Sequence, residues 1–211
     1  MLLEQLSLAV QRGRAKEVVE LVQTGLDEGL SAQELLDKGL LAGMSVIGEK
    51  FKINEVFVPE VLIAARALNK GTELLKPRLV AEGVKPLGTV VVGTVRGDLH
   101  DIGKNLVRMM LEGAGFSVVD LGVDVEPAQF VAAVKEHHPQ IVAMSSLLTT
   151  TMGNQKLVVE ALVEAGLRDS VKVMVGGAPV TQAFCDEIGG DGYTPDAASA
   201  ADMAKAFVAA A

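Results

Sequence analysis

The stretch GTVRGDLHDIGKNLV, Gly93 to Val107, sets Asp98, His100 and Asp101 among glycines and threonines at the end of an apolar run. An imidazole beside carboxylates has two readings. In one, His100 is a solvated or structurally hydrogen-bonded loop side chain, common enough at the edge of an α/β sheet. In the other it is a metal ligand. A metal-bound imidazole usually donates its second ring N–H to a carboxylate, and Asp98, two residues earlier in an extended loop, can accept it. One histidine is too few for a free zinc or iron ion, which takes three or four protein ligands. His137 and His138 lie at a helix end in a different segment and are expected to face solvent. A single protein ligand suffices if the metal arrives already held in a macrocycle, with only an axial position open.

The elements that must position this loop fall into two halves with different periods. From Met1 to about Lys85 the apolar residues recur at helical spacing, as at Leu36, Leu40, Met44, Ile47 and Phe51. Ser31 with Glu34 forms a capping-box signature. Pro59 suits the first turn of a helix carrying Val61, Leu62, Ala65 and Leu68. With segments around Leu3 to Val10 and Val18 to Leu26, this predicts four helices with short connections, hence a four-helix bundle.

Beyond Lys85 short β-branched runs alternate with amphipathic stretches. The runs are TVVVGT from Thr89, FSVVDLG from Phe116, QIVAMSS from Gln140, VKVMVGG from Val171 and a weaker GDGYT from Gly190. Helical patterns start near Ile102, Pro127, Met152, Val180 and Asp196. Val90 to Val92 and Ile141 to Met144 are apolar on both faces, so the sheet is expected to be parallel and covered on each side. The fold class is therefore α/β. A four-helix bundle over residues 1–85 precedes a flavodoxin-like, doubly wound, five-stranded parallel sheet over 86–211. Ligands of such sheets sit beyond the carboxyl ends of the strands, which points to Gly93–Gly103, Ser145–Thr151 and Gly176–Pro179.

Several residues there also have plain structural explanations. Gly176-Gly177 suits a tight strand-to-loop turn, and Ser145 and Thr149 could cap helices. Phe57 and Val61 fit an apolar core stripe, and Tyr193, the one tyrosine, fits core packing. Cys185, the one cysteine, has no cation-rich surroundings that would create a thiolate and reads as a small buried hydrophobe.

Composition excludes some functions. A formal net charge of −8, with no Lys/Arg cluster, argues against nucleic acid as a partner. No apolar run approaches the length of about 18 residues needed for a membrane span. An unpaired cysteine and an N-terminus without a signal-peptide pattern suggest a cytoplasmic protein.

Asp98-x-His100-x-x-Gly103, followed by Ser145-x-Leu147 and Gly176-Gly177, resembles the three-part signature of base-off, His-on corrinoid-binding domains. The helical half, with FVPEVLIAARAL from Phe57, is similar to the cap of methyl-transferring members, including methionine synthases and the small corrinoid proteins of methanol, methylamine and aryl methyl ether methyltransferase systems. The resemblance covers nearly the whole chain. It implies cobalamin or a related corrinoid as cofactor, His100 as the lower ligand of cobalt, and Asp98 holding the other ring nitrogen. A hydroxyl at Thr151 would continue that relay, where similar proteins usually have serine. Asp101 and Ile102 would neighbour the ligand. Gly103, Ser145, Leu147, Thr149, Gly176 and Gly177 would line a slot for the displaced nucleotide tail. Gly192 and Tyr193 would lie at its edge, and Phe57, with Val61, over the upper face of the corrin.

The implied function is a methyl carrier without turnover of its own. It would accept a methyl group on Co(I) from a substrate:corrinoid methyltransferase and deliver it from methyl-Co(III) to a second, methylcorrinoid:acceptor methyltransferase, with a reductive activase as a further partner. Two rivals share parts of the pattern. A cobalamin-dependent mutase subunit needs no helical cap, and a cobalamin-sensing regulator needs a basic DNA-reading helix, which the first half lacks.

Overall fold

Helical spacing in the first half becomes four helices: α1 (Leu2–Gln11), α2 (Ala15–Asp27), a continuous α3 and α4 (Val58–Ala81). A computed structural model provides these elements and describes residues 1–210, so that Ala211, the last residue of the expected second domain, lies outside the described residues. Helix α3 has three parts, Ala32–Glu34, a π-helical Leu35–Leu41 and Ala42–Lys52. Ser31 caps it as expected, its hydroxyl accepting from Glu34 N at 3.1 Å. The carboxylate of Glu82, from the end of α4, also receives the N–H groups of Ala32 and Gln33 at 3.1 and 3.3 Å. Together these satisfy N–H groups that a helix start leaves without partners.

The π-helical turn changes which face is buried. Regular spacing puts Leu36 on the inner stripe, but the wider turn brings Leu35 fully inside and leaves Leu36 only part-buried. Leu40, Met44 and Ile47 follow the expected stripe into the bundle core with Leu6, Val10, Val18, Val22 and Leu75. In α4, Val61, Ala65 and Leu68 are buried, whereas Leu62 is 41 % exposed. Phe57 is the N-cap residue of α4 and 61 % exposed. Its N–H is accepted by the Glu60 side chain at 3.0 Å.

The α/β unit follows, and the chain divides between Pro86 and Leu87, with the short segment Gly113–Gly115 grouping with the helical unit. Its elements are β1 (Thr89–Thr94), α5 (Ile102–Gly113), β2 (Ser117–Asp120), α6 (Pro127–His137), β3 (Ile141–Ser145), α7 (Gly153–Glu164), β4 (Lys172–Gly176), α8 (Gln182–Ile188), β5 (Gly192–Tyr193) and α9 (Ala197–Ala209). The all-parallel sheet has the order β2-β1-β3-β4-β5. Val90, Val91, Val92, Ile141, Val142 and Met144 are buried, as two covered faces require. Phe130 of α6 is fully buried against Gly93, and withdrawing a side chain of that size from water stabilises by roughly 2–3 kcal/mol.

Order and register decide where a ligand crevice forms. The order in which strands are added reverses between β1 and β3, the switch point of flavodoxin-like sheets. Thr94 pairs with Ser145 and Ser145 with Gly176, so three strands end side by side. No helix of the described residues is long and apolar enough to cross a membrane.

Candidate functional site

Strand β1 ends at Thr94 and α5 starts at Ile102, so Asp98 and His100 lie on the intervening loop. His100 is held at three points. Its backbone carbonyl accepts from the buried Thr94 hydroxyl at 2.9 Å. Its backbone N–H donates to Asp98 Oδ1 at 3.1 Å, and its ring Nδ1 lies 2.7 Å from the same oxygen. A carboxylate can only accept, so this pairing puts the proton on Nδ1 and leaves the Nε2 lone pair for another partner. Half of the His100 side chain is exposed, while that of Asp98 is wholly buried.

The second oxygen of Asp98 is equally occupied. Oδ2 accepts from the Thr151 hydroxyl at 2.7 Å and from Leu147 N at 2.8 Å, with Leu148 N and the Ser146 hydroxyl each at 3.4 Å. Burial alone pushes the carboxyl up. The hydrogen bonds from Thr151, from the backbone and ring of His100 and from Leu147 outweigh it and hold Asp98 well below the usual carboxylate range. The group is thus a buried carboxylate made stable by donors, and it fixes the imidazole's tautomer and orientation.

The loop is braced from both sides. Asp124, beyond β2, has a left-handed φ of 53°, which non-glycine residues seldom adopt. In that conformation its side chain accepts from Gly97 N at 2.7 Å and its N–H donates to Asp98 O at 3.0 Å. From α7, Asn154 donates to Arg96 O at 2.7 Å. Just inside α5, the Lys104 ammonium is buried against both Asp120 oxygens at 2.6 and 2.7 Å and against Asn105 Oδ1 at 2.9 Å.

Thr94 and Ser146 lie inside the stretches expected to meet a ligand but are not singled out by the sequence, and Asp124 and the Lys104–Asp120 pair lie outside those stretches. The available signal was positional: polar residues at or just past the carboxyl ends of β1, β2 and β3, in stretches otherwise apolar.

The expected slot residues occupy different settings. Ser145 and Gly176 end neighbouring strands and are part-buried, and a side chain added at Gly176 or Gly103 would meet open space. Gly177 is the opposite case. Its φ is 127°, and a Cβ there would collide with the Ser146 carbonyl. Leu147 and Thr149 are exposed on the loop after β3. Ile102 is 75 % exposed, and Asp101 turns its side chain toward Asn105 at 3.0 Å rather than toward His100. Gly192 is buried, and a Cβ there would strike Met203 of α9, so packing accounts for its size. Tyr193 packs on the core cluster of the sheet. Val61 is core, Cys185 is buried with its thiol pushed up by burial, and His137 and His138 are exposed.

Among the described residues no three His, Cys, Asp or Glu side chains converge to hold a metal ion. His100 is therefore a lone donor, backed by a carboxylate and a hydroxyl, and Gly103 in the first turn of α5 and Gly176 at the end of β4 both face free space. That donor set fits a metal that is already chelated by other ligands and needs one further donor.

Two matches to B12 binding domains cover residues 2–76 and 88–202. The chain is 50 % identical over 189 residues to the trimethylamine corrinoid protein of Methanosarcina barkeri, covering 89 % of this chain and 87 % of that protein. To the dimethylamine corrinoid protein of the same organism it is 44 % identical over 210 residues, 99 % of this chain and 98 % of that protein. The solved structure of the methanol:cobalamin methyltransferase complex MtaBC from Methanosarcina barkeri superposes with a TM-score of 0.90 at 34 % identity, over 100 % of this chain and 80 % of the matched one. With the helical and α/β units each matched, and a lone, carboxylate-backed histidine at the sheet's switch point, the chain belongs to the family of B12-binding corrinoid proteins.

Proposed function

We propose that this corrinoid protein is a methyl carrier, holding its cofactor base-off with His100 as the axial ligand and passing methyl groups between two methyltransferases. A bound corrinoid supplies a cobalt that can take up and give up a methyl group, and the protein supplies orientation and shielding. Nε2 of His100 would meet the metal while Asp98, bonded to Thr151, governs how strongly the imidazole donates. Gly103, Ser145, Leu147, Thr149, Gly176 and Gly177 would seat the tail, with Asp101, Ile102, Gly192 and Tyr193 at the margins. The helical unit is assigned the cap role implied by its resemblance, with the exposed Phe57 as the residue facing the cofactor. The names of the relatives support a methylated amine or methanol as donor, delivered by a substrate:corrinoid methyltransferase. A second methyltransferase would draw the methyl off, and a reductive activase would restore the carrier. The free, buried Cys185 suits a reducing, cytoplasmic setting.

The observation that carries this reading is His100: one half-exposed imidazole, oriented by a fully buried carboxylate, with no cluster of three or more His, Cys, Asp or Glu ligands among the described residues. Apoprotein reconstituted with hydroxocobalamin, then reduced to Co(II), should show superhyperfine splitting from one nitrogen in electron paramagnetic resonance. Labelling histidine with ¹⁵N should change that splitting, and His100→Ala should abolish the protein-derived coupling while leaving corrinoid bound. A coupled nitrogen that belongs to the cofactor's own base would overturn the assignment.

A further inference from the structure

Ser146 is fully buried, its N–H donates to Gly176 O at 3.1 Å, and its hydroxyl lies 2.8 Å from the Thr151 hydroxyl. Neither the resemblance nor the slot assigned above gives it a part. We propose that Ser146 is a positioning residue that extends the donor chain behind the axial histidine, its hydroxyl aiming the Thr151 proton at Asp98 and so lowering the donor strength of His100. The inference rests on the His100 assignment of the proposed function and adds a member to it.

The argument is a count of protons. Thr151 has one hydroxyl proton and three acceptors in range, Asp98 Oδ2 at 2.7 Å, Ser146 Oγ at 2.8 Å and Leu148 O at 3.1 Å, of which the charged carboxylate is both the nearest and the strongest. The Leu148 carbonyl already accepts from Thr151 N at 3.1 Å and Met152 N at 3.0 Å. Ser146 also has one proton. Its nearest acceptor is Thr151 Oγ1 at 2.8 Å, since Leu148 O lies at 3.3 Å and Asp98 Oδ2 at 3.4 Å. The assignment that uses the shortest contacts is Ser146 to Thr151, Thr151 to Asp98, and His100 Nδ1–H to Asp98. A hydroxyl that accepts one bond donates the next more strongly, by about 10–30 % per bond. Asp98 is then better satisfied at Oδ2 and pulls less on the imidazole N–H at Oδ1. A less polarised imidazole is a weaker ligand.

Backbone packing keeps Ser146 in register for this task. The Gly177 backbone lies so close to the Ser146 carbonyl that no side chain fits between them, and Gln155, fully buried, donates to Met144 O at 3.2 Å and Gly176 O at 3.1 Å. The ends of β3 and β4 are therefore tied on either side of Ser146.

The test uses the full chain with and without cofactor. In apoprotein with the imidazole singly protonated, the ¹⁵N shifts of the His100 ring are read through its carbon-bound protons. Ser146→Ala should move Nδ1 downfield, because Asp98 then accepts more strongly from it. With hydroxocobalamin bound, the same variant should shift the Co(II)/Co(I) midpoint to more negative potential, since a stronger lower ligand favours Co(II). A tenfold change in the ratio of ligated to unligated cobalt corresponds to about 59 mV, and the expected shift is smaller than that. In a Thr151→Val background, Ser146→Ala should have a smaller effect than in wild type, since only the longer 3.4 Å contact of Ser146 with Asp98 Oδ2 is then left to lose. Ser146→Cys, which keeps a weak donor, should fall between wild type and Ser146→Ala. An Nδ1 shift unchanged by Ser146→Ala in folded apoprotein would overturn the inference. Were His100 not the cobalt ligand, only the potential would fail to move and the Nδ1 shift would still respond, so the two failures are distinguishable.

Discussion

Thr151 and Asp98 stand 53 positions apart in the chain, yet the threonine hydroxyl lies 2.7 Å from Asp98 Oδ2. The carboxylate faces His100 with one oxygen and the β3–α7 loop with the other. Two loops that leave adjacent strands are thereby joined through one buried group. What the imidazole experiences is decided partly by residues on a different strand end.

Replacing Thr151 with valine keeps the volume but removes a donor from a buried charge. The expected cost is about 1.5–3 kcal/mol in urea unfolding at neutral pH, the range for hydrogen bonds to charged groups. Thr151→Ser should recover most of it. A loss confined to Thr151→Ser would mean that the methyl group, and not the hydroxyl, matters.

Gly177→Ala meets two obstacles, a left-handed φ and the Ser146 carbonyl. Each kind of strain costs on the order of 1–3 kcal/mol. The midpoint of urea unfolding should drop accordingly, and corrinoid uptake, followed by absorbance, should fall as the β4 end is displaced. Gly103→Ala, which meets nothing within 4 Å, should leave the midpoint almost unchanged.

The Lys104–Asp120 pair makes an asymmetric prediction. Burial raises the Asp120 carboxyl, but the Lys104 hydrogen bond and charge, the Gly122 N–H and the Arg108 charge together bring it below its ordinary value. A depressed folded value means that the pair's stabilisation is fully present above the unfolded carboxyl value of about 3.9 and is lost as pH falls through the lower, folded one. Asp120→Asn should flatten that acid limb. At neutral pH it should cost roughly 3–5 kcal/mol, because the Lys104 ammonium stays buried without its counter-charge. Lys104→Met should cost much less, since Asp120 keeps the Gly122 N–H and is more exposed. Thermal or urea unfolding from pH 7 down to pH 3 measures both.

A fragment that starts at Val84 should fold and bind corrinoid on its own. The α/β unit has its own core, from Val91 and Phe130 to Val175 and Ile188, and contains His100 and the strand ends. Circular dichroism and hydroxocobalamin titration check this. A fragment that folds yet fails to take up the corrinoid would show that the helical unit contributes to affinity and not only to shielding.

Much of this protein was legible from its sequence because the relevant physics is local. A period of 3.6 gave way to doubly apolar β-branched runs, which separated the helical half from the parallel sheet and located every strand to within two residues. Asp98-x-His100 is local too. Two positions along an extended loop bring a carboxylate to an imidazole in almost any fold that keeps the loop, and the three-part signature carried the family. The tertiary structure alone decided the rest. The turn at Leu35–Leu41 became π-helical, so Leu35 rather than Leu36 faces the core. Asp124 adopted a left-handed conformation to brace the histidine loop, and Ser146, next to the expected Ser145, came to touch Thr151. These depend on the register of β1 against β3 and of β3 against β4, which pairs Thr94 with Ser145 and Ser145 with Gly176. A slip of one residue would turn Ser146 to the opposite face, because side chains alternate along a strand. No local spacing encodes that register. It follows from packing both faces of the sheet at once.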